Sequence, residues 1–363
     1  METLKVSELQ AKLQEEGAQW QAAYTSLSEL APAELKTKLG ANPPNPPTAA
    51  EKKSFQKTAL AAHEAMVTAR GAGFPAAFDW RNHNGQNYVT PVKNQGGCGS
   101  CVAFGATASV ESKVRIMKGA GYNIDISEAH LFYCLKGDPN GCQNGWWPGP
   151  AYDHFKNTGV ALESYFPYVG SQQACNVNTG WENQKVQISG WQNITDIAQI
   201  KEWISTKGPM SACFEVFSDF YNYRSGVYSH VSGGSVGWHC VCVVGYDDGQ
   251  RCWICKNSWG TGWGESGFFR IRYGQCSFEL YGMWGVESAI DSGWLYNKKV
   301  VGLWAINQNL NAWAYIEGEG WKRIYPNNQN NFFNILTQLI GAKNKGANVS
   351  VRISNGQIVE IYS

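Results

Sequence analysis

Three side chains in this sequence have the types and surroundings that nucleophilic chemistry needs. Cys101 ends the turn Gln95-Gly-Gly-Cys-Gly-Ser-Cys101 and opens a run that reads as helix. A thiol at a helix N-terminus faces unpaired N–H groups and the positive end of the macrodipole, which favour the thiolate. Such a nucleophile needs a partner base. His239 lies in Trp-His-Cys-Val-Cys-Val-Val-Gly-Tyr, an apolar run where an imidazole needs a reason to be. Asn257 follows in Lys256-Asn-Ser-Trp-Gly-Thr-Gly-Trp-Gly264. Its amide can accept from the ring and orient it, and Trp259 can shield that bond from water. Each residue alone has a plainer reading, His239 as a satisfied core histidine and Asn257 as a turn residue. The pairs Cys98/Cys101 and Cys252/Cys255 also have the Cys-x-x-Cys spacing of zinc ligands, but they lie far apart and are flanked by other motifs.

The elements that must position these groups are readable in outline. Ser100 to Met117 has no proline and a single glycine, which suits a helix. From Trp238 onward, short apolar runs alternate with glycine-rich turns, the pattern of antiparallel sheet. Upstream, Leu4, Leu9 and Leu13 recur at helical intervals. Ala41-Asn-Pro-Pro-Asn-Pro-Pro-Thr48 cannot be helix interior, because proline lacks the N–H and fixes φ, so it reads as an extended strap. Ala49 to Arg70 is alanine-rich and helix-prone, and Gly71-Ala-Gly-Phe-Pro75 ends it. Downstream, Glu317-Gly-Glu-Gly320 separates two strand-like runs. Phe332, Phe333, Leu336, Leu339 and Ile340 form a helical stripe, and Ser354-Asn-Gly-Gln357 predicts a type I′ hairpin. The expected divisions are a helical segment 1–73, a central domain 74–292 and a small α+β unit 293–363.

Composition narrows the function. The chain has 363 residues, a net charge of +1 and only 16% charged residues, which gives nucleic acid no electrostatic purchase. No apolar run is long enough for a membrane helix. The 16 Trp, 17 Tyr and 15 Phe argue for folded domains rather than disorder. All 11 cysteines lie between Cys98 and Cys276, and their odd number leaves at least one thiol without a partner in the chain.

Five stretches in register give the central domain a family likeness: Phe78-Asp-Trp-Arg81, Val89-Thr-Pro-Val-Lys-Asn-Gln95 leading into Cys-Gly-Ser-Cys101, Glu163-Ser-Tyr-Phe-Pro-Tyr168, Asn257-Ser-Trp-Gly-Thr-Gly-Trp-Gly264 and Gly267-Phe-Phe-Arg-Ile271. About residues 74–290 resemble the papain-like cysteine proteases, whose cysteine signature is a known sequence marker. The resemblance implies an α+β fold of two lobes, one helical and one an antiparallel, barrel-like sheet. It implies Cys101 as nucleophile, His239 as the base that becomes the leaving-group acid, Asn257 as its orienting partner and Gln95 as an oxyanion donor beside the Cys101 N–H. It also implies disulfides Cys98–Cys142 and Cys134–Cys175. Cys276 matches a further half-cystine whose partner position, before His239, holds no cysteine.

By the same resemblance Gly145, Trp146, Trp147, Pro148, Cys213, Cys240 and Trp259 lie at the substrate cleft. Trp147, Pro148, Cys213 and Cys240 line its main specificity pocket, with Glu279 or Tyr281 at the end. That lining suits a bulky hydrophobic side chain two residues before the scissile bond. Three positions depart from the family pattern. Val102 replaces an aromatic, Trp146 stands where a glycine would face substrate and could narrow or reshape the subsites, and Trp238 precedes the histidine in place of a small polar residue.

The expected function is a cysteine endopeptidase made as a zymogen, acting on polypeptides through a thioester and needing no cofactor or metal. Residues 1–73 are expected to form its inhibitory propeptide, with the proline strap crossing near the cleft; a plain N-terminal scaffold is the competing reading. The alternatives to the whole are a catalytically silent papain-fold protein that binds peptide or glycan, and a transpeptidase. A monomer is expected, with no membrane partner. The implied disulfides and propeptide point to a secreted or otherwise extracytoplasmic setting. The lack of an apolar leader after Met1 points to the cytoplasm instead. In 293–363, Trp294, Trp304, Trp313 and Trp321 either build the core of the unit, the reading favoured here, or form a platform for glycan or substrate.

Overall fold

The computed structural model describes residues 5–68, 73–291, 294–306, 308–326, 328–354 and 356–362. The chain divides into two compact units, Met1–Val177 with Ile188–Ala289, and Asn178–Gln187 with Ile290–Ser363.

The larger unit begins with helix α1 (Val6–Glu15), strand β1 (Trp20–Ala22), helix α2 (Pro32–Lys36) and helix α3 (Ala49–Thr68). Val6, Leu9 and Leu13 form the buried face of α1, while Leu4 lies outside the described residues. The segment is not wholly helical as expected. β1 pairs antiparallel with strand β5 (Tyr223–Tyr228), and Trp20 packs in the core against Tyr228. Gly226, at φ +94°, makes room for this, since a Cβ there would strike the Gln19 carbonyl. Ala59 and His63 bury one side of α3.

Strand β2 (Ala77–Asp79) and helices α4 (Cys101–Lys118), α5 (Gly141–Asn144) and α6 (Pro148–Asn157) come next. Cys101 through Val114 of α4 are buried on every side, as expected of a helix with no polar face at its N-terminal end. Its small residues allow close approach: a Cβ on Gly105 would lie 2.8 Å from Cys240 Sγ.

Strand β3 (Val186–Ile194), helix α7 (Ile197–Thr206) and strands β4 (Met210–Phe217), β5, β6 (Ser235–Asp247), β7 (Cys252–Lys256), β8 (Phe268–Arg272) and β9 (Met283–Asp291) complete this part of the chain. Among the described residues the strands run in the order β1-β5-β8-β7-β6-β4-β9-β3, with β2 also on β6. The pairing of β5 with β8 is parallel, an exception to the antiparallel expectation. Phe214, Phe220, Trp253, Trp259, Trp263 and Phe269 pack into the aromatic core of the sheet.

The smaller unit holds strands β10 (Trp294–Ala305), β11 (Ala312–Ile316), β12 (Gly320–Ile324), β13 (Asn348–Ser354) and β14 (Gln357–Tyr362), and helix α8 (Gln329–Lys345). The strands close into a barrel in the order β10-β11-β12-β14-β13. Ser354 pairs with Gln357 as the hairpin signal predicts, but Asn355, which decides the turn type, lies outside the described residues.

Two expectations fail in this unit. The buried face of α8 is Phe332, Ile335, Leu339 and Ala342, whereas Phe333 and Ile340 are exposed. The described core contains no tryptophan: Ala312, Ala314, Ile316, Ile324, Val349, Val351 and Ile358 fill the barrel, Trp304 and Trp321 stand about half exposed, Trp313 is half-buried, and the Trp294 side chain lies outside the described residues. Besides the ring of Phe332, alanine and branched aliphatic side chains fill the barrel plugged by one helix, and Trp304 and Trp321 face out.

Candidate active site

Cys101 is the first residue of α4, so its own N–H and those of the next residues have no partner inside the helix. The turn before it is tightly tied. Gly99 N–H donates to the Cys142 carbonyl at 3.0 Å, and the Cys98–Cys142 disulfide staples the same loops. Cys134 and Cys175 form a second disulfide. Because Cys98 is bonded, the pair Cys98/Cys101 is no dithiol and cannot hold zinc. The remaining cysteines, Cys101, Cys213, Cys240, Cys242, Cys252, Cys255 and Cys276, are free and buried.

His239 sits on β6 opposite Phe214 of β4, and Asn257 directly follows β7. His239 Nε2 lies 2.8 Å from Asn257 Oδ1, and Trp259 covers the ring at 4.7 Å. The same Oδ1 accepts the Ser258 N–H at 2.8 Å. An amide oxygen only accepts, so Nε2 carries the imidazole proton and Nδ1 is the bare base. Nδ1 is buried and makes no hydrogen bond. Gln95 is set by Ser258, whose hydroxyl donates to Gln95 Oε1 at 2.6 Å, leaving the Gln95 amide to donate to the Cys98 carbonyl at 2.9 Å.

Ser258 thus orients both Gln95 and Asn257, a role not assigned from sequence although it adjoins Asn257. Tyr168 was likewise missed: its hydroxyl donates to the Gln95 carbonyl at 2.8 Å and meets Ser100 Oγ at 2.6 Å. A buried charge cluster lies beside these groups. Lys93 reaches Glu111 at 3.0 Å and Glu128 at 2.9 Å, and Lys256 reaches Thr90, itself bonded to Glu111. It ties α4 to the end of β7, one residue before Asn257.

The cleft is occupied by the chain itself. The Lys38 carbonyl accepts from Gln95 Nε2 at 3.2 Å and from Trp259 Nε1 at 3.3 Å. The N–H groups of Gly40 and Ala41 both donate to the Trp238 carbonyl at 3.2 Å. Trp146 N–H donates to the Gly40 carbonyl at 2.7 Å, and Asn42 N–H to the Trp146 carbonyl at 2.9 Å. The occupying segment is therefore Lys38–Asn42. The proline run follows it, and there Tyr281 donates to the Asn45 carbonyl at 2.6 Å. The fit leaves no space for a side chain at residue 40, where a Cβ would overlap the Gly99 carbonyl. Gly145, at φ +61°, lies against the Gly40 carbonyl in the same way. A cavity of about 370 Å³ remains beside the segment, bordered by Leu39, Gly97, Gln143 and Trp238.

This cover reverses the electrostatics expected of a helix-end thiol. Burial, with the Cys240 thiol beside it, pushes the Cys101 pKa far up, although the amides of Cys240, Gly40 and Val102 face the sulfur. Burial lowers His239 to about 4 from an ordinary 6.5, against the opposing bond to Asn257. Both groups are neutral near pH 7 in this state.

The predicted pocket residues divide. Trp147 packs edge-on against Tyr281 at 5.1 Å and Trp284 at 5.4 Å, and Pro148 opens α6. Cys213 and Cys240 are register partners across β4 and β6 and are buried. Of the two candidates for the end, Tyr281 meets Trp147 and Trp238, whereas Glu279 is held elsewhere by Trp253, Gly274 and His63. Trp146 does not narrow the cleft. Its backbone pairs with Gly40 and Asn42 while its ring turns away to Phe132 and His154. Val102 is wholly buried.

Residues 74–288 match the papain family cysteine protease. The chain is 39% identical to mouse pro-cathepsin H over 217 residues, covering 57% of this chain and 63% of that protein. It is 38% identical to the Arabidopsis thaliana thiol protease aleurain over 61% of this chain and 64% of the relative. It thus spans a little under two thirds of the length of these relatives. Among solved structures, digestive procathepsin L2 from the Tenebrio molitor larval midgut superposes with a TM-score of 0.60 at 28% identity, over 77% of this chain and 88% of that one. With well over half of its residues inside the matched region, this chain belongs to the papain family of cysteine proteases.

Proposed function

We propose that the chain is the latent form of a papain-type cysteine endopeptidase. Cys101 attacks the carbonyl carbon of a bound peptide, and Nδ1 of His239 takes the thiol proton and passes it to the leaving amine. Water then hydrolyses the thioester with His239 as base. The Gln95 amide and the Cys101 N–H stabilise the oxyanion.

The observation that carries this reading is the segment Lys38–Asn42. Its main chain pairs with Trp146 and Trp238 and brings the Lys38 carbonyl to Gln95, so the groove accommodates extended polypeptide. In this reading residues 1–73 are the intramolecular inhibitor, residues 74–292 the catalytic domain and residues 293–363 an accessory targeting unit, for which the exposed Trp304 and Trp321 are the support. The ring pair of Trp147 and Tyr281 and the buried thiols of Cys213 and Cys240 are the apolar groups that support a preference for a bulky side chain two positions before the scissile bond. The two disulfides favour an extracytoplasmic setting.

Acid is the expected trigger. His239, depressed to about 4, and His63 of the inhibitory segment itself, lowered chiefly by burial despite its contact with Glu279, are neutral while the segment is docked. Uncovered, they regain ordinary values near 6.5 and bind more protons than the covered form. Docking is therefore strongest above that pH and weakens as pH falls toward 4. Incubation at low pH should shorten the wild-type chain and leave Cys101→Ala full length; equal processing of both would eliminate self-cleavage by Cys101.

A further inference from the structure

The C-terminal barrel carries an ordered row of aromatic side chains on its outside. A bulge between Val300 and Gly302 resets the register of β10 against β11. Beyond it, Gly302 pairs with Tyr315 and Trp304 with Trp313; on the next strand Tyr315 pairs with Trp321 and Trp313 with Arg323. Side chains alternate along a strand, so these six positions share one face in two cross-strand rows. Ala314 and Ile324, at alternate positions on the same strands, are fully buried and Leu303 packs against the core, which makes the shared face the outer one.

Trp304 and Trp321 are 47% and 49% exposed, and Tyr315 is 37% exposed. Trp321 lies over Gly302, with ring atoms 3.1 Å from where a Cβ would stand, and meets the Tyr315 ring at 5.5 Å and 87°. One side of the indole is seated and held while about half of the residue stays in solvent. Trp313 is steadied by its N–H bond to Asn311. Several rings kept open on one small unit are the kind of patch that marks a binding surface, and pre-set rings lose little rotamer freedom when a partner stacks on them.

Arg323 ends the second row. Its Nε is buried and has no hydrogen-bond partner, and it joins no ion pair among the described residues. With no ion pair among the described residues, its Nη groups, and not the buried Nε, are the donors left for a carboxylate. The surrounding sequence favours an acidic partner too, since residues 291–363 carry 7 basic and 4 acidic groups.

We infer that this face binds a polysaccharide whose pyranose rings carry carboxylates, the apolar faces of the sugars lying on Trp304, Tyr315 and Trp321 and a carboxylate pairing with Arg323. A peptide adding a strand is disfavoured, because β10 pairs with β13 and the barrel offers no free edge there. The inference rests on the reading of this unit as a targeting module and names its ligand class.

The test uses the full-length Cys101→Ala chain, so that binding is read without cleavage. Its migration is measured in gels containing polygalacturonate, alginate or hyaluronan, with dextran and poly-glutamate as controls. The expected result is retardation by at least one acidic polysaccharide, at least tenfold weaker in Trp304→Ala and in Trp321→Ala with unchanged melting temperatures, and reduced in Arg323→Lys. Retardation by dextran or poly-glutamate but by none of the acidic polysaccharides would overturn the ligand class and leave targeting standing. Retardation by none of the five would overturn both. Binding that survives both tryptophan substitutions would overturn the assigned face.

Discussion

Tryptophan has opposite fates in the two units of this chain. In the larger unit, Trp253, Trp259 and Trp263 are buried almost completely, each with a job: Trp259 covers the His239–Asn257 bond, Trp253 donates to Glu279, and Trp263 donates to the Tyr221 carbonyl. On the barrel, Trp304 and Trp321 stand half in water. The large sheet encloses enough volume to take whole indoles and supplies acceptors for their N–H groups. The small barrel is already filled by alanine and branched side chains. The difference teaches that an aromatic-rich stretch reports a core only where the unit is large enough to have one. In a unit of only 84 residues it can report a surface.

The contrast can be broken or sharpened by experiment. The largest effect is expected at Gly40→Val. A side chain there collides with the Gly99 carbonyl, so the covering segment should lift and raise peptidase activity of the unprocessed chain at neutral pH about tenfold or more. Unchanged latency, measured with a fluorogenic peptide, would mean that Lys38–Asn42 is not the inhibitor. Trp263→Ala should cost about 3–5 kcal/mol in urea unfolding of the larger unit, the range for an emptied aromatic site. A loss below 1 kcal/mol would contradict its role as a packed core residue. In Cys101→Ala, the His239 ring should titrate near pH 4 by NMR and move up toward 6.5 once the segment is cleaved away. A midpoint near 6.5 in both forms would show that the segment does not bury the ring. Least of all, Trp304→Ala should change stability by no more than about 0.5 kcal/mol, as for an ordinary surface site. A loss comparable to that of Trp263→Ala would restore the core reading and remove the contrast.

What could be read from the sequence follows from how each feature is encoded. Cys101, His239, Asn257 and Gln95 lie inside local motifs that carry the family resemblance, and that resemblance named them as a set before any geometry was known. The helix from Cys101 and the strand-rich half after Trp238 were visible for a similar reason, because burial pattern and glycine turns are local. The register of Lys38–Asn42 was not visible. It is held by main-chain bonds to Trp146 and Trp238, which many sequences could make, and the proline run just after it drew attention instead. β1 was missed because three residues carry no period, and it forms only because β5 offers an edge and Gly226 lets it approach. The orientation of Trp146 and the exposure of Trp321 depend on neighbours distant in the chain: Phe132 and His154 for one, Gly302 and Tyr315 for the other.

The central claim is that Cys101 and His239 form a catalytic pair kept neutral by the chain's own N-terminal segment. Timed alkylation with iodoacetamide at pH 6, with mass mapping of the labelled cysteine, addresses it directly. In the intact chain Cys101 should label slowly, and after removal of residues 1–73 it should become the fastest-reacting thiol, with that gain lost in His239→Ala. Equal labelling of Cys101 before and after removal, or fast labelling that survives His239→Ala, would contradict the account.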